Sequence, residues 1–290
     1  MGTAPVRRPR GRMARAALLA APAAAIVLAF FACLAAMVYY SVRPSLGMAQ
    51  VGSGFTLENY ARFLGDPYYL GYLWRSIRAA VVSTAIVAVL GFAVAYYMSR
   101  SGPVVRLVTS LVLVVQFFTA YVVRTYALML ILGRNGVVNR TLVALGLIEA
   151  PLPLMYNELG VVIGLVLVSI PFMVFPVYSS LLAIEANLDA AAESLGAGPL
   201  ERFWTVTVPL AMPGVAAGTV VVFLFTLTAY VIPGLLGGGY FEMIANLIYD
   251  KAMGAQDYPF AAASAMVTLV VTATLVYGLQ RAFAARIRGA

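Results

Sequence analysis

The groups in this chain that could do chemistry are few. Four of the eleven acids, Glu185, Asp189, Glu193 and Glu201, fall in one connection between apolar runs. Clustered carboxylates become general acids, bases or metal sites when an imidazole, a thiol or a nucleophile joins them. There is no histidine, and the single thiol, Cys33, sits inside an apolar run far along the chain from those acids. That removes histidine proton relays, histidine metal sites and histidine-assisted nucleophiles, and it forbids an intramolecular disulfide. An acidic, polar connection can still bind another surface. The other conspicuous group is Arg124, the one charge clearly inside an apolar run. An intramembrane charge is costly and faces a polar cavity or a partner, unless it snorkels to the interface. Arg124 either lines a path, holding a gate with Tyr126 or Gln116, or serves helix-end packing.

The elements that position these groups are membrane spans. Of 290 residues, 63% are hydrophobic and 10% charged, with a mean hydropathy of +0.94. A soluble core needs more polar surface than that. Six runs reach the length of a bilayer crossing: Ala16–Val42, Ile77–Met98, Leu107–Leu132, Leu159–Leu182, Met212–Leu236 and Pro259–Leu279. The fold class is therefore all-α, a polytopic membrane protein of six transmembrane helices. A basic cytoplasmic arm occupies residues 1–15, and the transmembrane domain occupies 16–290 with its long connection at 183–211. The basic arm, the apolar run and Ala-Pro-Ala-Ala-Ala at 21–25 have the ingredients of a cleaved signal, and Arg7-Arg8 those of a twin-arginine signal. The apolar run is about twice a usual signal core in length, which favours a retained span.

The net charge of +8 is nearly all arginine, and Lys251 is the only lysine. Because these charges flank spans, they set orientation rather than mark a nucleic-acid surface. With the N-terminus inside, the inner segments hold eleven arginines against Glu185, Asp189, Glu193 and Glu201. The outer segments hold seven basic residues and seven acids. Both termini are thus expected to be cytoplasmic. No nucleotide-binding loop is present, so any energy source is external.

The connection Asn187–Pro213 reads NLDAAAESLGAGPLERFWTVTVPLAMP. Asn187–Leu195 suits a short helix with acids near its start. Gly196 suits a left-handed C-terminal cap. Gly198 and Pro199 suit the start of a second helix, with Glu201 three residues on. That helix is expected to run through Val206 and end before Pro209. At Ala191-Ala192, Gly196, Val206, Val208 and Pro209 the spacing resembles the EAA loop of the binding-protein-dependent transport family. The family's glutamate position is occupied by Ala190, with Asp189 one residue earlier. In that family the loop is a coupling helix that docks on an ATPase subunit. The resemblance implies the same role for Asp189, Ala191, Ala192, Glu193, Leu195, Gly196, Ala197, Phe203 and Pro209. It also implies a type I ABC importer permease-like bundle in the bacterial inner membrane.

The resemblance extends from about Ala16 to the C-terminus and is most similar to permeases of the spermidine/putrescine type. Tyr121-Val-Val-Arg-Thr-Tyr126, Gly136-Val-Val-Asn139, Pro151-Leu-Pro-Leu154, Pro171–Pro176, Tyr230–Gly238, Met243–Ile248 and Asp257–Phe260 carry it. It implies a polyamine substrate, with ferric iron, an oxyanion, thiamine or another organic cation as alternatives. The six spans contain no Asp or Glu. A cation would therefore meet aromatic faces, or the partner subunit would supply acids, or Glu242, Asp250 and Asp257 would attract it at the outer mouth. Tyr121, Arg124, Tyr126, Phe225, Tyr230 and Pro233 are the candidate path residues. Pro171 and Pro176 are expected to interrupt the fourth span, since proline frees a carbonyl and favours a kink.

The implied partners are two cytoplasmic ATPase subunits, a second related permease, an extracytoplasmic binding protein and membrane lipid. The chain itself would bind no cofactor and no metal, Mg-ATP being used by the partner. An ion-coupled carrier would need intramembrane acids or histidine, and a membrane-embedded enzyme would need clustered reactive groups near a span. Neither is present.

Overall fold

The computed structural model describes residues 10–47, 49–185, 188 and 192–289, with side chains from residue 21 to residue 285 of that set. Asp189, Ala191 and most of the basic arm lie outside the described residues. Five helices are long and apolar enough to cross a membrane: Ala21–Ser41, Pro67–Arg100, Glu158–Leu182, Pro199–Leu227 and Tyr258–Ala285. A bent pair, Pro103–Phe118 and Tyr121–Ala144, meets at 105° and makes a sixth crossing when the two are counted as one span.

Helix α1 (Arg10–Ser41) carries Pro22 within it. A small antiparallel hairpin, β1 (Ser45–Gly47) and β2 (Gln50–Val51), leads to α2 (Glu58–Gly65). Helix α3 (Pro67–Arg100) starts ten residues before the expected Ile77. Its start is fixed by chemistry that hydropathy does not weigh: the Asp66 carboxylate accepts from the Tyr68 N–H at 2.8 Å, and Pro67 takes the first helical turn. Ser101-Gly102 ends it, and Pro103 opens α4 (Pro103–Phe118).

The expected third span, Leu107–Leu132, is not one helix. It breaks at Thr119-Ala120 before α5 (Tyr121–Leu132), which is followed by α6 (Val137–Ala144). The fourth span runs the other way. Helix α7 (Glu158–Leu182) passes through Pro171 and Pro176 without interruption. Its N-cap is Asn157, whose side chain accepts from the Gly160 N–H at 2.9 Å. Proline at 171 frees the carbonyl four residues back. The Gln116 side chain of α4 donates to that carbonyl, on Leu167, so the defect is filled rather than kinked open. Gln116 is therefore a structural partner of α7. Gln116→Leu should cost about 1 kcal/mol, in the range of membrane hydrogen bonds, read as a lowered unfolding temperature in detergent with transport retained.

Helix α8 (Pro199–Arg202) does not end before Pro209. It continues through a five-residue π-turn, Phe203–Thr207, into α9 (Val208–Leu227). Proline at 209 has no N–H to donate, and the π-turn, closed by Val208 N–H to Phe203 O, absorbs the missing bond without a break. A second break at Thr228–Tyr230 precedes α10 (Val231–Leu236), so the expected fifth span is also divided. Then come α11 (Ile244–Tyr249), a π-turn at Asp250–Gly254 and α12 (Tyr258–Gly289).

Helix α7 is the central element, packed between α3 and α9. Val161, Leu165, Met173, Val174 and Val177 of α7 are fully buried there with Val87, Ala95, Ala211 and Val222. Closest approach falls at Gly214, where an added Cβ would lie 2.5 Å from the Pro176 carbonyl and 2.5 Å from Ser180 Oγ. Small residues at crossings are what let membrane helices approach this far. At the end bearing the hairpin, Ser76 Oγ accepts from the Ile244 N–H at 2.7 Å, and Arg62 pairs with Asp257 at 3.1 Å. Burial opposes the Arg62 charge, but the Tyr69 hydroxyl and the Asp257 carboxylate outweigh it and hold the guanidinium pKa above its ordinary value.

Candidate permease sites: a cavity at two helix breaks and an exposed loop

The two breaks meet. Thr119, Ala120 and Tyr121 from the first, with Thr228, Ala229, Tyr230 and Val231 from the second, line one cavity of about 530 Å³. The rest of its wall is Phe117, Phe118, Arg124, Val168, Phe172 and Phe225. Each helix stops at a threonine that bonds its own preceding turn: Thr119 Oγ1 to Val115 O at 2.7 Å, Thr228 Oγ1 to Leu224 O at 2.8 Å. Such back-bonding slightly destabilises and bends a helix, though the same bond at Thr268 and Thr272 leaves α12 unbroken. Irregular backbone at membrane depth is tolerated where it is buried in protein or lines a cavity.

The aromatic wall is ordered by two edge contacts and one tilted pair. Tyr121 meets Phe225 at 5.9 Å between ring centroids, Phe225 meets Phe172 at 4.8 Å, and Phe172 meets Phe117 at 5.5 Å. Tyr230 stacks at 4.7 Å on Tyr249, and its carbonyl accepts from Asn246 Nδ2 at 3.0 Å. Arg124 is half-buried. Its Nη2 reaches the Thr119 carbonyl at 3.4 Å, and its buried Nε has no hydrogen-bond partner. No carboxylate is among the lining residues.

Of the six path residues expected from sequence, Tyr121, Arg124, Phe225 and Tyr230 line this cavity. Tyr126 does not; it is an exposed residue further along α5. Pro233 is buried inside α10 and is also outside the lining. What sequence reasoning missed was the breaks themselves, although a signal was present. The tetrapeptide Thr-Ala-Tyr-Val occurs at 119–122 and again at 228–231, and both copies mark a break.

The second candidate site is the connection between α7 and α8. Residues 192–194 are helical and stop at Gly196, whose φ is +87°. Ala197 N–H bonds Ala192 O at 3.0 Å and Gly196 N–H bonds Glu193 O at 2.9 Å. This pair of bonds is a Schellman cap, which needs the left-handed residue glycine supplies. Leu195 stands on the turn with 88% of its surface exposed. Glu193 pairs with Arg202 at 2.8 Å, joining the two arms of the connection. Phe203 then packs on Tyr96 and Phe92 of α3, at 5.2 and 5.9 Å. Pro209 lies in the first turn of α9. Ala192, Glu193, Leu195, Gly196, Ala197 and Phe203 are thus brought to one end of the bundle; Asp189 and Ala191 lie outside the described residues.

Broken apolar helices around an aromatic cavity, with an exposed structured loop at one end, define a membrane permease subunit. The family of binding-protein-dependent transport system inner membrane components matches this chain over residues 17–289, and the chain belongs to it. The spermidine/putrescine transport system permease PotB of Escherichia coli strain K12 is 36% identical over 225 residues, 78% of this chain and 80% of that protein. The inner membrane ABC transporter permease YdcU of the same strain is 31% identical over 255 residues, 83% of this chain and 77% of its own length. The crystal structure of a bacterial ABC transporter for the acidic polysaccharide alginate contains a similar chain. That chain is 14% identical with a TM-score of 0.71, covering 94% of this chain and 98% of that one. The protein is a multi-pass inner-membrane permease of the ABC importer class.

Proposed function

We propose that this chain forms half of the translocation path of a polyamine importer and couples it to ATP hydrolysis by a partner. The observation that carries the substrate class is the 36% identity over 225 residues to a permease named for spermidine and putrescine transport. The acid-free, aromatic cavity supports a cation held by ring faces and backbone carbonyls rather than by carboxylates.

In this reading the Gly196 turn faces the cytoplasm, as the arginine bias of the inner segments favours. Both termini lie on that side, and 1–15 is a cytoplasmic arm ahead of a single transmembrane domain, 16–290. Leu195, Gly196 and Ala197, with Asp189, Ala191, Ala192 and Glu193, dock in a groove of a cytoplasmic ATPase subunit. Two such subunits serve this chain and a second, related permease. A binding protein delivers solute at the outer face, where Glu242 adds negative charge and Asp250 is paired with Lys251. Hydrolysis and its Mg-ATP belong to the ATPase subunits, and this chain has the non-catalytic part: to receive their motion at the loop and to shape the path.

The test is co-purification of the chain with the products of its neighbouring genes, followed by ATPase and labelled spermidine uptake in proteoliposomes. A Cβ at Gly196 meets open space, but a side chain at φ +87° is strained. Gly196→Trp is expected to release the ATPase subunits or to abolish uptake. If the native chain purifies without an ATPase and the substitution changes nothing, the coupling role is wrong. If the complex holds but spermidine is not taken up, only the substrate class is wrong.

A further inference from the structure

The two breaks share Thr-Ala-Tyr-Val and a threonine bonded to its preceding turn. They differ in backbone, Thr119 being extended at ψ 130° where Thr228 has ψ 7°, and in the residues that follow. Three residues after Tyr121 stands Arg124; three residues after Tyr230 stands Pro233. At the first break the last turn of α4 ends in carbonyls without intrahelical partners, and Arg124 Nη2 reaches the one on Thr119 at 3.4 Å. At the second break Phe225 O and Thr226 O of the last turn of α9 take bonds from Thr228 Oγ1 and the Ala229 N–H, and no cationic side chain of the cavity wall stands there. The negative end of a helix dipole and nearby ring faces favour a cation at such a place. Tyr121 and Phe225 supply rings at the first seat, Tyr230 at the second.

The Arg124 guanidinium is also loosely held. One long hydrogen bond and a buried Nε with no partner leave most of its donors unused by protein groups. A structural arginine in an apolar setting is expected to be fully bonded. An underbonded one can be displaced.

We propose that the two Thr-Ala-Tyr-Val breaks are a matched pair of cation seats, one filled by the chain's own Arg124 and the other open to a cationic group of the solute. The proposal deepens the polyamine reading and takes the cationic solute from it. Arg124 then sets specificity by fixing how many positive charges the cavity can accept. With its guanidinium in place, one ammonium group enters at Thr228–Tyr230. With it swung out, a second can be seated at Thr119–Tyr121.

The test uses the assembled transporter without its binding protein, and two probes: spermidine, and guanidinium chloride at millimolar concentration. Arg124→Gln vacates the first seat and is expected to tighten binding of both probes by about tenfold or more, one repelling charge having been removed. Arg124→Lys keeps a charge there and should bind like the native chain. Val231→Arg, on the cavity wall at the second break, plugs the second seat and should abolish binding, and the double variant Arg124→Gln, Val231→Arg should restore it through the first. If Val231→Arg does not assemble, the Gln and Lys pair decides alone. The proposal is overturned if Arg124→Gln binds neither probe more tightly, or if Gln and Lys behave alike. Guanidinium bound more tightly by the Gln variant, with spermidine unbound by any variant, would keep the seats and discard the polyamine.

Discussion

A Phe203→Ala transporter is expected to hydrolyse ATP at close to the native rate and to move roughly tenfold less solute per ATP. Phe203 lies in the π-turn that joins the loop to α9, and its ring stands edge-on to Tyr96 and Phe92 of α3. Trp204 packs against it from the same turn at 5.1 Å. Edge-to-face aromatic pairs contribute about 0.5–1.5 kcal/mol each beyond the area they bury. Removing the three, two of which reach α3, leaves the Gly196 turn intact but lets it move without α3. The check is the ratio of labelled solute taken up to phosphate released, in proteoliposomes. A parallel fall in both rates would mean that Phe203 merely holds the complex together. No change in the ratio would mean that α3 does not receive motion through this ring.

Gly214→Val should unfold the bundle at its centre. The added branch would drive into the Pro176 carbonyl and Ser180 Oγ, and the carbonyl belongs to a backbone that cannot turn aside. Overpacking of this kind costs about 1–3 kcal/mol, and more when the obstacle is main chain. The expected result is a large loss of monodisperse protein on size exclusion and a lowered unfolding temperature. Gly278→Ala gives the contrast, since nothing lies within 4 Å of the added Cβ. Within α12 it is expected to be neutral or stabilising by up to about 1 kcal/mol, from helix propensity. Equal damage from the two substitutions would place the sensitivity in the helix backbone rather than at the α7–α9 crossing.

The spans were legible because a run of twenty apolar residues has few other uses. The Gly196 turn was legible because a left-handed cap asks for one residue type, and glycine stands where the alanine-rich helix must stop. The breaks were hidden for a reason of the same kind. Thr119-Ala120 and Thr228-Ala229 are small and not charged, so averaged hydropathy runs straight across them. Each break carries a threonine hydroxyl turned onto its own preceding turn, but the same bond at Ser264, Thr268 and Thr272 leaves α12 continuous, so nothing in these local residues alone announces a break. The prolines misled in the opposite direction. Pro171 and Pro176 looked like interruptions, yet α7 is continuous because Gln116 on another helix answers the carbonyl that Pro171 frees. That answer is fifty-one residues away in sequence and could be read only from the fold. Pro209 misled likewise, the π-turn having absorbed it.

The continuity across Pro209 turns the loop and the fifth crossing into a pushrod. Pro199–Leu227 is 29 residues of unbroken helix, roughly 40 Å at 1.5 Å per residue. One tip stands three residues beyond the Gly196 turn; the other ends at Thr228, on the rim of the cavity. In the proposed coupling, a stroke passed from the turn through Ala197-Gly198 into Pro199 meets no further break before Thr228. The compliant point is the break itself, where α9 gives way to α10. In the proposed coupling, work done at the cytoplasmic face would reach the residues that line the cavity.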